Sequence, residues 1–487
     1  MKKQAFNPYL PSREYIPDGE PHVFDGRVYI YGSHDKFDGM GFCLNDYISY
    51  SAPVDDLSDW RYEGVIFEKK SVPPYHSSKI SMWAPDVVQG KDGRYYLYFF
   101  VGASHPYDNR IRVAVSAKPG GPFVYYGAVH YQDGVDVGMK DGELKSFDPG
   151  VFKDDDGRIY LYSGFGPKIN NPFIQHGWKA TDKGPMCYEL EDDMLTVKNG
   201  PAFIGIPSRE TKEYGEHVFF EASSMRKFEG VYYFIYSSAL GHELCYARSD
   251  SPINGFSYGG TLVSIGDIGL DGRNKKDAIN YTGNTHGSIE FINGEYYVFY
   301  HRQTNLKQYS RQGCAEKLVR NPDGNFTQHE VTSCGLNGGP LKGEGEYPAY
   351  IACNLMGKNG AFFYGFLKMK CLRKNHPYFT QDGADELEGE DQYIANCGDG
   401  TKVGYKYFSF ANPSSISVTL SGSFRGEIEI KDSLDSIKIG SIKVDKKKGK
   451  NVYSSDKIEP LSGTKPLYLV FKGKGHSSFY SFSINKE

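Results

Sequence analysis

Carboxyl groups and one histidine recur at a nearly constant distance before short turns in this sequence. Asp18, Asp148, Glu221 and His286 each lie seven or eight residues before a polar residue that is followed by glycine, and Pro85 holds the corresponding position in a fifth segment. If the five segments fold alike, three carboxyl groups and one imidazole converge on one point. Carboxylates at close range raise one another's pKa and destabilise a fold, so a matched set indicates a function or a bound cation.

Three converging carboxyl groups are suited to cleaving a glycosidic bond with water. One carboxylate accepts a proton from the attacking water, a second carboxyl group protonates the leaving oxygen, and a third raises the pKa of that acid. Taken singly, each residue could be an ordinary turn cap, since Asp before glycine or proline is a common turn residue. The shared spacing favours the chemical interpretation for the whole set.

The same turns open five copies of one motif. The copies are DGRVYIYGS (25–33), DGRYYLYFF (92–100), DGRIYLYSG (156–164), EGVYYFIYS (229–237) and NGEYYVFYH (293–301). Their first residues are 67, 64, 73 and 64 positions apart, and a further short strand precedes each copy. A polar-glycine turn between two aromatic and β-branched runs is typical of a β-hairpin.

A hairpin repeated at this period predicts an all-β fold, a five-bladed β-propeller. Each period has room for two more strands, which gives four strands per blade. In a propeller the innermost strand of each blade lines a central channel, so residues that precede those strands lie at its mouth. The alternative is a β-sandwich whose hairpins resemble one another by accident.

The repeat stops after the glycine-rich stretch LNGGPLKGEGEYP (336–348), which reads as a linker. We therefore predict a propeller over residues 1–340, a linker over 341–377 and a second domain over 378–487. The second domain alternates apolar and polar residues in SISVTLSG, GEIEIKD, IKIGSIKV, KPLYLVFKG and SFYSFSI. Such alternation predicts an antiparallel β-sandwich of the jelly-roll kind.

Composition excludes several classes of partner. The net charge of -4 carries no electrostatic signature of nucleic-acid binding, and no run of 18 apolar residues exists to span a membrane. The first twenty residues lack the apolar core of an export signal. The eight cysteines include no C-x-x-C pair, which is typical of free thiols in a reducing compartment. A cytoplasmic location is therefore expected.

The motifs resemble those of one enzyme family. The segments NPYLPSREYIPDGEPHVF, MWAPDVV, FDPGVFKDDDGRIYLYSG, FFEASSMRK, NTHGSIEF and SRQGCAEKL are similar to glycoside hydrolase family 43 over about residues 5–335. That resemblance implies a five-bladed propeller enzyme that acts by inversion on arabinose- and xylose-containing glycans. Residues 378–487 resemble, more weakly, the family 6 carbohydrate-binding modules.

The resemblance also implies roles for individual residues. Asp18 matches the general base, Asp148 the acid that modulates a pKa, and Glu221 the general acid. His286 matches the axial histidine that helps to hold a water-coordinated calcium ion in the channel, and Arg311 matches an arginine that reaches the substrate and the acids. The first motif reads DGEPHVF where the family usually has Asp-Pro, so Glu20 is a rival base.

Three further residues are candidates for contacting substrate. Trp83 offers an aromatic face on which the apolar face of a sugar can stack, although it could equally pack between blades. His34 and Phe37 follow a strand end and could shape the pocket, or belong to an ordinary loop. Asp86 falls off the matched register and is expected to be structural.

Together these features predict an inverting, exo-acting hydrolase that releases terminal α-L-arabinofuranose or β-D-xylose from hemicellulose-derived oligosaccharides. An endo-arabinanase of the same family, a sugar-binding propeller without catalysis and a retaining furanosidase remain alternatives. The expected partners are these oligosaccharides, with neither nucleic acid nor membrane, and the expected cofactor is calcium.

Overall fold

The computed structural model describes residues 3–75, 77, 79–102, 108–167, 182–364 and 376–486. Strands β1–β19 are Glu20–Phe24, Arg27–Tyr31, Tyr47–Pro53, Arg61–Phe67, Ser81–Gln89, Tyr95–Gly102, Ile111–Ser116, Val124–Ala128, Gly150–Lys153, Ile159–Ser163, Met186–Leu190, Val197–Phe203, Phe219–Phe228, Val231–Ser238, Glu243–Ser249, Ser257–Ser264, Ile289–Ile292, Glu295–Arg302 and Gln312–Leu318. Strands β20–β31 are Leu341–Lys342, Gly345–Pro348, Asn354–Met356, Tyr378–Thr380, Tyr393–Cys397, Lys402–Ala411, Ser415–Gly422, Arg425–Lys431, Gly440–Val444, Asn451–Ser454, Ser462–Lys474 and Ser477–Asn485. Short 3-10 turns cover Lys69–Ser71, Leu270–Gly272, Lys275–Asp277, Gly335–Asn337 and Ala349–Ile351.

Strands β1–β19 form five antiparallel sheets, which are the blades of the predicted propeller. The sheets are β1–β4, β5–β8, β9–β12, β13–β16 and β17–β19, each in chain order from the innermost strand outward. The inner strands of neighbouring blades touch around the ring, as β1 does with β5 and β17, and β9 with β5 and β13. The five-bladed propeller predicted from the repeat is confirmed.

The fifth blade has three strands where the repeat predicts four. Asn7 occupies the free edge of β19, because its amide donates to the carbonyl of Ala315 at 2.9 Å and accepts from that residue's N–H at 3.0 Å. The Asn7 N–H also donates to the carbonyl of Ser333 at 2.9 Å. The N-terminal segment therefore satisfies the edge that a fourth strand would have covered and closes the ring.

The five hairpins form where the sequence predicts them. In three blades the two turn residues both adopt a left-handed backbone: Asp25–Gly26, Glu229–Gly230 and Asn293–Gly294. Two consecutive left-handed residues make a type I′ turn, whose twist matches that of the flanking strands. Turns of this type explain why Asp, Glu or Asn followed by glycine marks these three hairpins.

Two six-stranded sheets form the second domain. One has the order β20-β25-β30-β27-β28 with β22 also on β25, and the other has β23-β24-β31-β26-β29 with β21 also on β31. Apolar side chains from both sheets, such as Tyr405, Ile428, Leu469 and Phe482, form one core. The predicted β-sandwich is present, and its resemblance to a carbohydrate-binding module stays a prediction.

The linker prediction for 341–377 is wrong in its first part. Strands β20, β21 and β22, within residues 341–356, pair with β25 and β31 of the sandwich. Glycine and proline there separate three short strands, so a local reading of composition mistook them for a linker. Residues 365–375 of the same span lie outside the described part of the chain.

Two predictions from composition can be compared with the structure. All seven cysteines in the described ranges are free thiols, as predicted, and Cys371 falls outside those ranges. Among the described residues, no helix has the length and apolar character needed to cross a membrane.

Candidate active site

The predicted residues meet at one mouth of the propeller channel. Asp18 and Asp148 each stand two residues before an inner strand, while Glu221 lies within β13 and His286 shortly before β17. The backbone is left-handed at Asp18 (φ 57°) and Asp148 (φ 48°), and again at Ala222 (φ 70°) beside Glu221. Left-handed non-glycine residues cost about 1 kcal/mol or more each, and they cluster where function requires a side chain to be aimed.

A glycine brings two of the carboxyl groups together. A Cβ atom at Gly150, the first residue of β9, would lie 2.1 Å from the backbone oxygen of Ser223 in β13. Only glycine permits that approach of the third and fourth inner strands. Because Asp148 and Glu221 flank this contact, their side chains are held side by side.

Asp18 is buried and kept ionised by a guanidinium. Arg311 Nη1 donates to Asp18 Oδ1 at 2.8 Å, and His301 Nδ1 lies 3.3 Å from the same oxygen. Burial opposes ionisation, but the positive charge of Arg311 outweighs it and holds the pKa of Asp18 far below its usual range. Asp18 is therefore a carboxylate at any working pH.

Arg311 is itself fixed by a second carboxylate. Its Nε and Nη2 donate to Asp35 Oδ2 and Oδ1 at 2.8 and 3.0 Å, a bidentate pair in which both residues are buried. The ring of Phe42 lies 4.7 Å from the guanidinium carbon. A planar guanidinium that contacts two carboxylates and an aromatic ring cannot rotate freely, so Arg311 fixes the orientation of Asp18.

The other two carboxyl groups have the opposite electrostatics. Burial and the negative charges of Glu221 and Asp18 raise the pKa of Asp148 well above its usual value. Burial raises the pKa of Glu221 to about 7, with Asp18 acting in the same direction and Lys145 and Arg311 opposing it. Glu221 is also the partly exposed member of the three, whereas Asp18 and Asp148 are buried.

The site thus combines a permanent carboxylate with a protonated carboxyl group that reaches solvent. Asp18 can accept a proton from water, and Glu221 can donate one to a leaving oxygen. Pairs of titratable groups whose surroundings separate their pKa values are the mark of acid–base assignments in active sites. Glu221 in turn is one of the charges that raise the pKa of Asp148, so Asp148 is the second protonated carboxyl group of the site.

His286 lies between the mouth and a second group of polar residues deeper in the channel. Its Nδ1 is 3.6 Å from Asp148 Oδ2 and 3.9 Å from Asp18 Oδ1, while its Nε2 is 3.9 Å from Glu20 Oε1. Glu20 pairs with Arg226 at 3.0 Å through Oε2. Glu20, the rival candidate for the base, is therefore paired with Arg226 on the inner side of His286, whereas Asp18 lies at the mouth of the channel.

Trp83 lies in an aromatic wall beside the carboxyl groups. Its ring centroid is 5.6 Å from that of Phe42 and 5.4 Å from that of Phe147, the residue before Asp148. Phe147 in turn packs edge-on against Phe165 at 5.3 Å. Trp83 is partly exposed, as a sugar-stacking residue needs to be.

The structure places His34 and Phe37 away from this group, which corrects their assignment to the substrate pocket. His34 Nε2 pairs with Glu14 at 3.0 Å, and His34 lines a separate cavity of about 330 Å³ beside the sandwich. Phe37 is buried against Tyr15, with ring centroids 5.5 Å apart. Their segment does reach the site, but through Asp35, which pairs with Arg311.

Sequence reasoning missed or undervalued three groups. Lys145 was not considered, although its charge acts on both Asp148 and Glu221. From the sequence, Asp35 shares the loop interpretation of His34 and Phe37, and His301 at the end of the last aromatic strand stays undecided between a site and a structural role. No pattern in one sequence distinguishes these residues, since each acquires its role from partners far along the chain.

Comparison with known proteins identifies the family. A model of the glycosyl hydrolases family 43 matches residues 17–326 of this chain. The chain belongs to glycosyl hydrolase family 43. The matched region contains Asp18, Asp148, Glu221, His286 and Arg311.

Relatives match this family 43 enzyme over all or part of its length. A xylosidase/arabinosidase of Thermoclostridium stercorarium is 46% identical over 491 residues and covers 99% of both chains. A β-xylosidase/α-arabinofuranosidase from a compost metagenome, solved with xylotriose in a calcium-free form, is 31% identical with a TM-score of 0.51 over 66% of this chain and 97% of its own. An arabinoxylan arabinofuranohydrolase of Bacillus subtilis, at 21% identity and a TM-score of 0.51, covers 99% of this chain and 97% of its own and shows the same fold across both domains.

The sandwich of this family 43 enzyme touches the loop that carries Asp35. Asp385 accepts from the N–H of Phe37 at 2.7 Å and from Asn45 Nδ2 at 2.9 Å, two residues that follow Asp35 in this loop. Arg13 fastens the Asp385 segment by donating to four of its backbone carbonyls. The second domain therefore supports the clamp on Arg311.

We expect Asp385→Ala to lower kcat/KM about tenfold, because two partly buried donors lose their acceptor and the Asp35 loop loosens. Glu388→Gln is the matched control, since Glu388 is an exposed carboxylate of the same segment. Steady-state measurement of kcat/KM for the two variants tests this expectation. Equal kcat/KM values would show that the sandwich does not support the site.

Proposed function

We propose that this enzyme is an exo-acting glycosidase that releases terminal β-D-xylose and α-L-arabinofuranose from hemicellulose-derived oligosaccharides. The observation that carries the chemistry is the pairing of ionised Asp18 with protonated Glu221 at one channel mouth. The specificity rests on the full-length relative called a xylosidase/arabinosidase. Both sugars carry hydroxyl groups on C2 and C3 and one further hydroxyl, on C4 of xylopyranose and on C5 of arabinofuranose, so one pocket can accept both.

The first test is a panel of four substrates. Aryl β-D-xyloside and aryl α-L-arabinofuranoside should both be cleaved, and xylo-oligosaccharides should be shortened from one end. Linear arabinan should yield no internal fragments. Random scission of arabinan would support the endo-arabinanase alternative instead, and binding without cleavage of any substrate would support a sugar-binding propeller.

The proposed reaction is a single displacement with inversion. Asp18 and Glu221 come from the first and fourth blades, which are not neighbours in a ring of five. Carboxyl groups that face each other across the mouth leave room for both a sugar and a water, the arrangement that inversion requires. Water becomes strongly acidic as it bonds to an oxocarbenium-like carbon, so even the weakly basic Asp18 can accept its proton.

The pH dependence follows from the two carboxyl groups. Glu221 works while protonated, and its pKa is raised to about 7, so kcat/KM should fall as pH rises through about 7. Asp18 works while ionised, and its pKa is depressed, so no loss from this group is expected down to mildly acidic pH. A pH profile of kcat/KM on an aryl xyloside measures both limbs. A fall centred near the ordinary Glu value of about 4.3 would contradict the assignment of Glu221.

We further propose that a calcium ion binds in the channel beside His286 and Glu20. Oxygen Oε1 of Glu20 is buried without a hydrogen-bond partner among the described residues, and burial together with Asp86 raises the pKa of Glu20 to about 8. A cation next to this oxygen would satisfy it, and calcium prefers oxygen ligands, including water. The ion would supply positive charge that offsets the repulsion among the mouth carboxylates.

Chelation tests the calcium proposal. Exhaustive treatment with a chelator should lower activity, and added calcium should restore it. His286→Ala should abolish that response. Full activity in chelated enzyme, with no metal found by elemental analysis, would contradict the proposal.

A further inference from the structure

Lys145 is a mostly buried cation without a hydrogen-bond acceptor among the described residues. The residue is 5% exposed, and no hydrogen bond or ion pair to its ammonium is found in those ranges. Its Nζ is not one of the fully buried atoms that lack a partner, so the ammonium end keeps contact with open space. Its three donors are therefore free to serve a ligand that enters that space.

The surroundings of Lys145 locate that ligand. Its Nζ lies 4.4 Å from the ring centroid of Phe147 and 4.3 Å from that of Phe165. Its charge interacts with those of Glu221 and Asp148. The ammonium thus sits between the aromatic wall and the acid side of the mouth, where a substrate must lie to receive a proton from Glu221.

Attraction to nearby carboxylates does not explain why this lysine is buried. Burial lowers its pKa to about 8, against the opposing pull of Glu221 and Asp148. A structural cation would be expected to form an ion pair, as Lys227 does with Asp154 at 2.7 Å and Lys406 with Asp267 at 3.0 Å in the same protein. Lys145 has aromatic faces in place of a carboxylate, which keeps its donors available.

We propose that Lys145 is a substrate-binding residue whose ammonium donates hydrogen bonds to hydroxyl oxygens of the sugar held between Glu221 and the Phe147–Phe165 wall. The proposal rests on the glycosidase function proposed above and adds a residue to its site. A charge-assisted hydrogen bond of this kind fixes the sugar relative to the proton of Glu221. Its loss should weaken binding as well as slow the reaction.

The test replaces Lys145 by Met, which retains the length and the contact with the rings but removes all three donors. Lys145→Met should raise KM on the better aryl glycoside at least about tenfold, and Lys145→Arg should recover part of that loss. Lys140→Met is the matched control: Lys140 belongs to the same segment and lies 3.9 Å from the ring centroid of Tyr131, but it is exposed and paired with Asp133.

A binding measurement separates substrate contact from an effect on the acid. In the Glu221→Gln background, calorimetry with xylobiose or an arabinosylated xylo-oligosaccharide should give a Kd at least about tenfold weaker when Lys145→Met is added. Unchanged KM and Kd would overturn the proposal, whatever happens to the pH profile. If Lys145→Met does not fold, Lys145→Leu, which also removes all three donors, serves the same comparison with the same criteria.

The wild-type substrate panel keeps this result distinct from the proposed function. Cleavage of an aryl glycoside by wild-type enzyme together with an unaffected Lys145→Met variant would reject the role of Lys145 alone. Absence of cleavage by the wild type would reject the function itself.

Discussion

Glu221→Gln should lower kcat on xylo-oligosaccharides by about a thousandfold or more, because the leaving sugar oxygen then departs without a proton. Aryl glycosides with a strongly acidic phenol need little protonation and should lose much less. The ratio of kcat values on the two substrate classes is the measurement. Glutamine keeps the shape of the side chain within β13, so the fold should persist.

Glu216→Gln is the control for this prediction. Glu216 lies five residues earlier in the same segment, is exposed, and receives the same chemical change without reaching the mouth. It should leave both kcat values unchanged. Equal losses on acidic and non-acidic leaving groups in Glu221→Gln would remove Glu221 from the role of proton donor.

Asp18→Asn should reduce kcat by about a thousandfold while KM changes little, since a base acts on the water in the transition state more than on bound substrate. Arg311 keeps its bidentate pair with Asp35, so the guanidinium is not left unpaired in the variant. Asp25→Asn is the control, because it makes the same exchange at another left-handed position of the first blade. A tenfold rise in KM with little change in kcat would make Asp18 a binding residue instead.

The stereochemistry of the wild-type reaction tests the same assignment from the product side. Proton NMR during cleavage of an aryl β-D-xyloside should show α-D-xylose first, before mutarotation mixes the anomers. That result places the water, and therefore Asp18, on the face opposite the leaving group. Initial β-D-xylose would mean a retaining mechanism with Asp18 as a nucleophile.

The propeller was predictable because its signals are local. Each hairpin depends on a turn of two residues and on the pattern of apolar and polar residues in the strands beside it. Both signals lie within about ten residues of sequence. The repetition of that signal at a period near 65 residues determines the number of blades. Asp18, Asp148, Glu221 and His286 were found for the same reason, since strand register fixes their distance from the turn.

Elements without a periodic signal were misread. The segment 341–356 is rich in glycine and resembles a linker, yet it forms strands because β25 and β31 offer it partners. His34 and Phe37 stand next to Asp35, and nothing local tells which side chain of that loop faces the mouth. Sequence proximity to a strand end is therefore a weak guide to the lining of a pocket.

By itself, the sequence determined the family, the repeated hairpins and the sandwich, and it predicted which three carboxyl groups form the site. The tertiary structure alone decided how those groups are charged. Arg311 reaches Asp18 across 293 residues of sequence and Asp35 across 276, and the Asp385 support comes from the other domain. Ionisation depends on burial and on the nearest charges, and both are set by long-range packing that no local pattern encodes.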